Sequence, residues 1–135
     1  MFTIRFSLIG LCFISFLSFA ANSPPASGGF HHCFVKASER FQIDHRLLIA
    51  IAEVESSMNP RAIGLNKRGG KVVSEDVGLM QINSSWFPTL YVMGITRNDL
   101  MDNPCQNIYV GAWILAKNIA SNGVNWESVD RKSVV

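Results

Sequence analysis

Charge is scarce in this chain: 135 residues hold 12 Lys and Arg against 10 Asp and Glu, a formal net charge of +2. So even a balance gives no basis for nucleic-acid binding, which needs a concentrated positive field. Metal-type ligands are scarce too. With three cysteines and three histidines in all, only His31, His32 and Cys33 stand together. Three adjacent side chains converge poorly on one ion, and no second ligand cluster completes them, so no metal is expected. Internal repeats and low-complexity tracts are absent, which excludes solenoids and arrays. A hydrophobic content of 48% excludes a disordered chain, and the length limits it to one domain.

One long apolar run is present. Phe6 to Phe19 follows the short, weakly positive head Met1–Arg5, and Ser18-Phe19-Ala20 gives a small-x-small pattern. Residues 1–21 are therefore expected to be a secretory signal peptide, cut after Ala20 or Ala21. An uncleaved anchor is the alternative, because the run is of marginal spanning length. Leu11 before Cys12 argues against a lipoprotein. Residues 22–30, beginning "NSPPASGG", have linker composition, and the folded domain is expected over 31–135. Once Cys12 leaves with the signal, Cys33 and Cys105 remain as a pair in an oxidising compartment. A disulfide between them is expected, with two buried thiols as the alternative. Closing a loop of roughly 70 residues would add up to about 4 kcal/mol in the chain-entropy model.

Local signals predict a helix-rich α+β domain. A first helix spans about Cys33–Phe41. Asp44 caps a second, "HRLLIAIAEVES", over His45–Ser56, whose apolar content leaves little polar face; Pro60 sets its limit. From Arg61 to Val73, glycines and basic residues break the pattern into a loop or short hairpin. Thr96 and Asp99 form a capping pair for a short helix near Arg97. Asn103 and Pro104 open a last helix with an apolar stripe of Ile108, Ala112, Leu115 and Ile119, and Asn122-Gly123 closes it.

Most acids have bland readings. Glu39, Asp44, Asp99, Asp102 and Glu127 lie in polar or capping contexts. Glu53 and Glu55 lie in the most apolar helix, about 200° apart, so they cannot share a face. Glu55 follows Leu48, Ile51 and Ala52 on its stripe; Glu53 follows Arg46, Ile49 and Ala50. Glu55 is thus the acid held among apolar neighbours at a helix end. Burial disfavours a carboxylate anion, and a carboxylic acid that keeps its proton can give it to a leaving oxygen, as glycosidic cleavage requires. A helix-end ion pair is the alternative.

"ESSMNPRAIG", followed some twenty residues later by "SEDVGLMQINSSW", resembles the lysozyme-like superfamily. The Glu-Ser-x-x-Asn-Pro and Gly-Leu-Met-Gln-Ile-Asn elements resemble in particular the soluble lytic transglycosylases, and among them small exported members associated with type III and type IV secretion, conjugation and pilus systems. The likeness covers about Cys33 to Val129. It implies a lysozyme-like fold, Glu55 as catalytic acid, and Gly78, Leu79, Met80, Gln81 and Ile82 as the segment lining a glycan cleft. Met80 and Gln81 would touch substrate, and Asn83 would brace the turn. Asp76 matches the lysozyme aspartate that partners the acid, a carboxylate many lytic transglycosylases lack; a turn-capping role is its alternative. Glu75 is expected to face solvent.

The implied activity is cleavage of the β-1,4 bond between N-acetylmuramic acid and N-acetylglucosamine to a 1,6-anhydro product. It would need no cofactor and take place in the periplasm of a Gram-negative bacterium. The implied partners are glycan strands and components of a type III/type IV secretion or conjugation machine; the protein is expected to be a monomer. Lysozyme-type hydrolysis by Glu55 and Asp76 is one alternative, and a non-catalytic wall-binding or assembly protein another. Arg61, Lys67, Arg68 and Lys71, with no acid between them, could attract stem-peptide carboxylates, or form a solvated loop. Trp86, Phe87, Tyr91 and Trp126 are candidates for sugar stacking, whereas Trp113 reads as core. After "GVNWESV" the family continues into a Tyr-Asn-Ala-Gly type motif. This chain reads "DRKSVV" instead, so a shortened cleft wall and weaker activity are expected.

Overall fold

The computed structural model describes residues 29–124. The signal peptide, all but the end of the linker, Trp126, Glu127 and the "DRKSVV" end lie outside the described residues. Among these, five helices surround a small sheet: α1 (His31–Phe41), α2 (His45–Ser56), β1 (Ile63–Arg68), β2 (Lys71–Val77), β3 (Ile82–Asn83), α3 (Phe87–Val92), α4 (Arg97–Asp102) and α5 (Pro104–Asn122). A 3-10 turn, Ser84–Trp86, leads into α3. This is a mostly helical α+β fold with its sheet inserted between α2 and α3, as expected of a lysozyme-like domain. No helix among the described residues is long and apolar enough to cross a membrane.

The helix boundaries follow from their caps. The Asp44 side chain accepts the Arg46 N–H at 2.8 Å, satisfying one of the orphan donors of α2. Thr96 and Asp99 form a reciprocal capping box on α4, with aspartate serving where glutamate is commoner. Asn103 accepts from Gln106 N–H, Pro104 takes the first turn of α5, and Gly123 at φ 79° closes it.

α5 is the centre of the packing. Asn107, Ile108, Val110, Gly111, Ala112, Ile114 and Leu115 are all buried, far more than one stripe. Phe34 of α1, Leu48 of α2, Leu90 of α3 and Leu100 of α4 are each fully or almost fully buried in the same cluster. Each such side chain contributes about 1.5–3 kcal/mol by leaving water. Cys33 and Cys105 are joined, with Cα atoms 5.3 Å apart, so the bridge ties α1 to the first turn of α5 across a separation of 72 residues.

His32 Nε2 lies 3.3 Å from the Cys33 sulfur and 3.8 Å from that of Cys105. The fold thus gathers three metal-type ligand atoms, from His32, Cys33 and the distant Cys105 and not from the adjacent trio His31, His32 and Cys33. Both sulfurs are bonded to each other, however, and neither is a thiolate ligand.

The sheet is antiparallel in the order β1-β2-β3. Gly64 pairs with Asp76, which pairs with Asn83; Asn66 pairs with Ser74, Lys67 with Val72 and Arg68 with Lys71. Val73 is left out of the register as a bulge. Val77 and Ile82 turn one sheet face into the core.

Candidate active site

The last turn of α2 carries Glu53 exposed and Glu55 half-buried, as their stripes predict. The helix ends without a glycine. Ser57 (φ 51°) and Met58 (φ 61°) both take the left-handed conformation. Their amides return to Glu53 O at 2.9 Å and Ala52 O at 3.3 Å. Two such residues cost about 1–2 kcal/mol each. Met58 packs against the core and so helps hold the reversal. Asn59 Oδ1 then accepts the Arg61 N–H at 2.9 Å, an Asx turn that delivers the chain into β1.

Ser56 binds this helix end to the loop between β2 and β3. Its hydroxyl lies 3.0 Å from Ala52 O and 2.8 Å from Leu79 O, one hydrogen facing two carbonyls. The loop is pinned from below by Asn107, a fully buried residue that sequence reading missed. Its amide donates to Val77 O at 2.9 Å and Leu100 O at 3.1 Å, and its oxygen accepts from Met80 N–H at 2.8 Å. Gly78, at φ +76°, is required here: a Cβ would run into the Asn107 amide. The available signal was an amide on the buried face of α5, one turn before Gly111.

The segment expected to line a cleft divides in two. Leu79, Met80 and Ile82 are fully buried, so their side chains belong to the core and not to a groove surface. Met80 fills the space left by Gly111, where a Cβ would lie 2.7 Å from its own. Gln81, at φ 47°, is buried as well, with 8% exposure, but it packs against backbone carbonyls and not in the apolar core. Its amide donates to Gly78 O at 2.9 Å and Ala62 O at 3.2 Å. A Cβ on Gly64 would lie 2.9 Å from Gln81 Oε1 and 3.7 Å from Asp76 Oδ2, so the missing side chain of Gly64 lets Gln81 sit beside Asp76.

Asp76 lies within β2 and caps no turn. Asn66 donates to its Oδ2 at 2.6 Å and Asn83 to its Oδ1 at 2.9 Å. The Ser74 hydroxyl accepts from the same two amides at 3.0 and 3.3 Å. The result is a polar ladder of Asn66, Ser74, Asp76 and Asn83 on one sheet face, with the carboxylate aimed by two donors. Asn83 also caps the 3-10 turn by accepting Ser85 N–H.

Glu75, on the opposite face, does not face solvent as expected. Arg97 grips both its oxygens, at 2.6 and 2.8 Å, and this hydrogen-bonded pairing holds its carboxyl below the ordinary value. Arg61 pairs with Asp102 at 3.1 Å. Trp86 packs edge-to-face on Trp113 at 5.5 Å, and its indole N–H is buried without a hydrogen-bond partner among the described residues. Trp86 is therefore largely a packing residue, whereas Tyr91 stands exposed.

The family model of the transglycosylase SLT domain matches residues 32–129. The chain belongs to that family. Its relatives include invasion protein IagB of Salmonella typhimurium (strain SL1344), 44% identical over 97 residues, which are 72% of this chain and 58% of the relative. A putative peptidoglycan-binding-like protein of Escherichia coli (strain K12) is 39% identical over 118 residues, 85% of this chain and 69% of the relative. Protein IpgF of Shigella flexneri is 37% identical over 125 residues, 93% of this chain and 72% of the relative. This SLT chain therefore spans less than two thirds of the Salmonella relative's length.

Proposed function

We propose that this SLT chain is an exported lytic transglycosylase of peptidoglycan. One observation carries the reading: Glu55 stands on a helix end that Ser56 ties to the 78–81 loop, and that loop's Gln81 rests beside the amide-aimed carboxylate of Asp76. An acid and a second carboxylate flanking one loop suit the two tasks of glycosidic cleavage. Glu55 protonates the oxygen of the β-1,4 bond between N-acetylmuramic acid and N-acetylglucosamine as it breaks. The resulting carboxylate takes the proton of the muramyl 6-hydroxyl, whose oxygen closes on its own anomeric carbon to give the 1,6-anhydro ring. Asp76 stabilises positive charge as it develops at that carbon. Gln81, held at two carbonyls, orients the glycan, and the main chain of residues 78–80 lies beneath it.

The family match and the peptidoglycan-binding-like name of one relative support this substrate, and the task we propose with it is to open the wall locally for a secretion or transfer apparatus. Such a task is carried out in the periplasm, by a monomer, without a cofactor. Glu55→Gln is expected to lower the clearance of purified sacculi at least about 100-fold; clearance at the wild-type rate would overturn the assignment.

Asp76 sustains a second reading, hydrolysis by a lysozyme-type route, because its carboxylate is held in place by Asn66 and Asn83. Mass spectrometry separates the two, since the hydrolysed product is heavier by one water. Anhydro ends alone would exclude hydrolysis, and reducing ends alone would exclude transglycosylation.

A further inference from the structure

The polar ladder does not end at Asn66. Residues paired across an antiparallel ladder point to the same face, and alternate residues along a strand share it. Gly64, Asn66 and Arg68 of β1 therefore share a face with Asp76, Ser74 and Lys71 of β2. The bulge at Val73 absorbs one residue and keeps Lys71 on that face. Lys67 falls on the other face, with Leu65, Val72 and Glu75.

Arg68 and Lys71 thus stand directly opposite one another, on either side of the Gly69-Gly70 tip, at the outer end of the surface that holds Asp76. Like charges in this position repel and weaken a hairpin. Neither cation has an ion-pair partner among the described residues, because Glu75 is taken by Arg97 and Asp102 by Arg61. From Gly64, opposite Asp76, to Arg68 the strand runs about 14 Å. An anion bound at the tip would relieve the repulsion, and a glycan lying along the ladder would bring anions there only if it carried acidic branches.

We propose that Arg68 and Lys71 form a subsite for the carboxylates of peptide branches on the glycan, so that the chain prefers peptide-bearing strands to bare ones. The inference rests on the peptidoglycan reading above. Charge complementarity commits the sheet face to this occupant.

The test compares co-sedimentation of the full chain with intact sacculi and with glycan strands stripped of peptides by an amidase, their freed lactyl carboxylates then capped as amides, at stepped salt. The wild type is expected to bind the peptide-bearing polymer about tenfold more tightly, with the preference fading as salt rises. Arg68→Gln/Lys71→Gln should abolish the preference, and Lys67→Gln, one residue away on the opposite face, should keep it. The hairpin tip is exposed, and circular dichroism checks that the variants fold. Equal wild-type binding to both polymers, a preference surviving in the double variant, or an equal loss in Lys67→Gln would each overturn the subsite. Sedimentation with neither polymer, together with no cleavage of either, would instead overturn the peptidoglycan reading itself.

Discussion

Replacing Asn107 by alanine tests how the loop beneath Gln81 is held. The substitution removes hydrogen bonds to Val77 O, Leu100 O and Met80 N–H, all within the core. Leu100 O belongs to the final turn of α4, beyond which Pro104 has no N–H to offer. Buried polar groups left without partners cost about 1–3 kcal/mol each, so the sum over three is about 3–9 kcal/mol. That is a large share of the usual 5–15 kcal/mol stability, and it should lower the melting temperature by at least about 12 °C in a domain of this size.

Asn107→Asp sharpens the test. Its carboxylate can still accept from Met80 N–H, but it turns negative oxygen towards two carbonyls. The folded state should raise the pKa of that introduced acid. Its penalty would then be full above the folded pKa and absent below the unfolded value, near 3.9. Relative to the wild type, the aspartate variant should therefore recover as pH falls from 7 to 4, whereas the alanine variant should not. Urea unfolding followed by circular dichroism at both pH values measures each difference. An alanine loss below about 1.5 kcal/mol, or a pH-independent aspartate penalty, would refute the reasoning.

Other expectations concern neighbouring features. Gly78→Ala should cost about 2–4 kcal/mol, from a left-handed backbone and collision with the Asn107 amide; a neutral melting shift would contradict this. The Glu75–Arg97 pair lowers the Glu75 pKa from its ordinary 4.5, so its contribution is present above that value and lost as pH falls through the folded pKa. With Arg97 39% exposed the effect should be about 1 kcal/mol or less, and Glu75→Gln should flatten that part of the stability–pH curve. Replacing both Cys33 and Cys105 by serine should cost up to about 4 kcal/mol in denaturant unfolding, because the bridge closes a separation of 72 residues. An unchanged midpoint would show that the bridge adds nothing.

What could be read in advance was what neighbours along the chain decide. Asp44, the Thr96/Asp99 box, Asn103-Pro104 and Gly123 mark helix ends by hydrogen bonds within a turn, and the structure keeps those ends. The stripe separating Glu53 from Glu55 holds for the same reason. β3 and α3 were not foreseen; two residues and six are too short to show a period. Sheet register was equally hidden. Whether Glu75 or Asp76 joins the polar ladder depends on pairing with Gly64 and Asn83, which no local pattern encodes. The likeness of "GLMQI" to its family singled out a segment but not the direction of each side chain. Leu79, Met80 and Ile82 point inward because α5 lies against the loop, and Asn107 and Gly111 shape that contact from a distant part of the chain.

Within α5, Cys105 carries the covalent link to α1, Asn107 grips the 77–80 backbone, and Gly111 receives Met80. These attachments all fall within about the first two turns of a single rod. Fraying of that rod from its N-terminal end would therefore release the 78–81 loop along with it. Amides of the 78–81 segment should exchange with deuterium at the pace of the opening turns of α5, so that the loop and those turns would lose order together or keep it together.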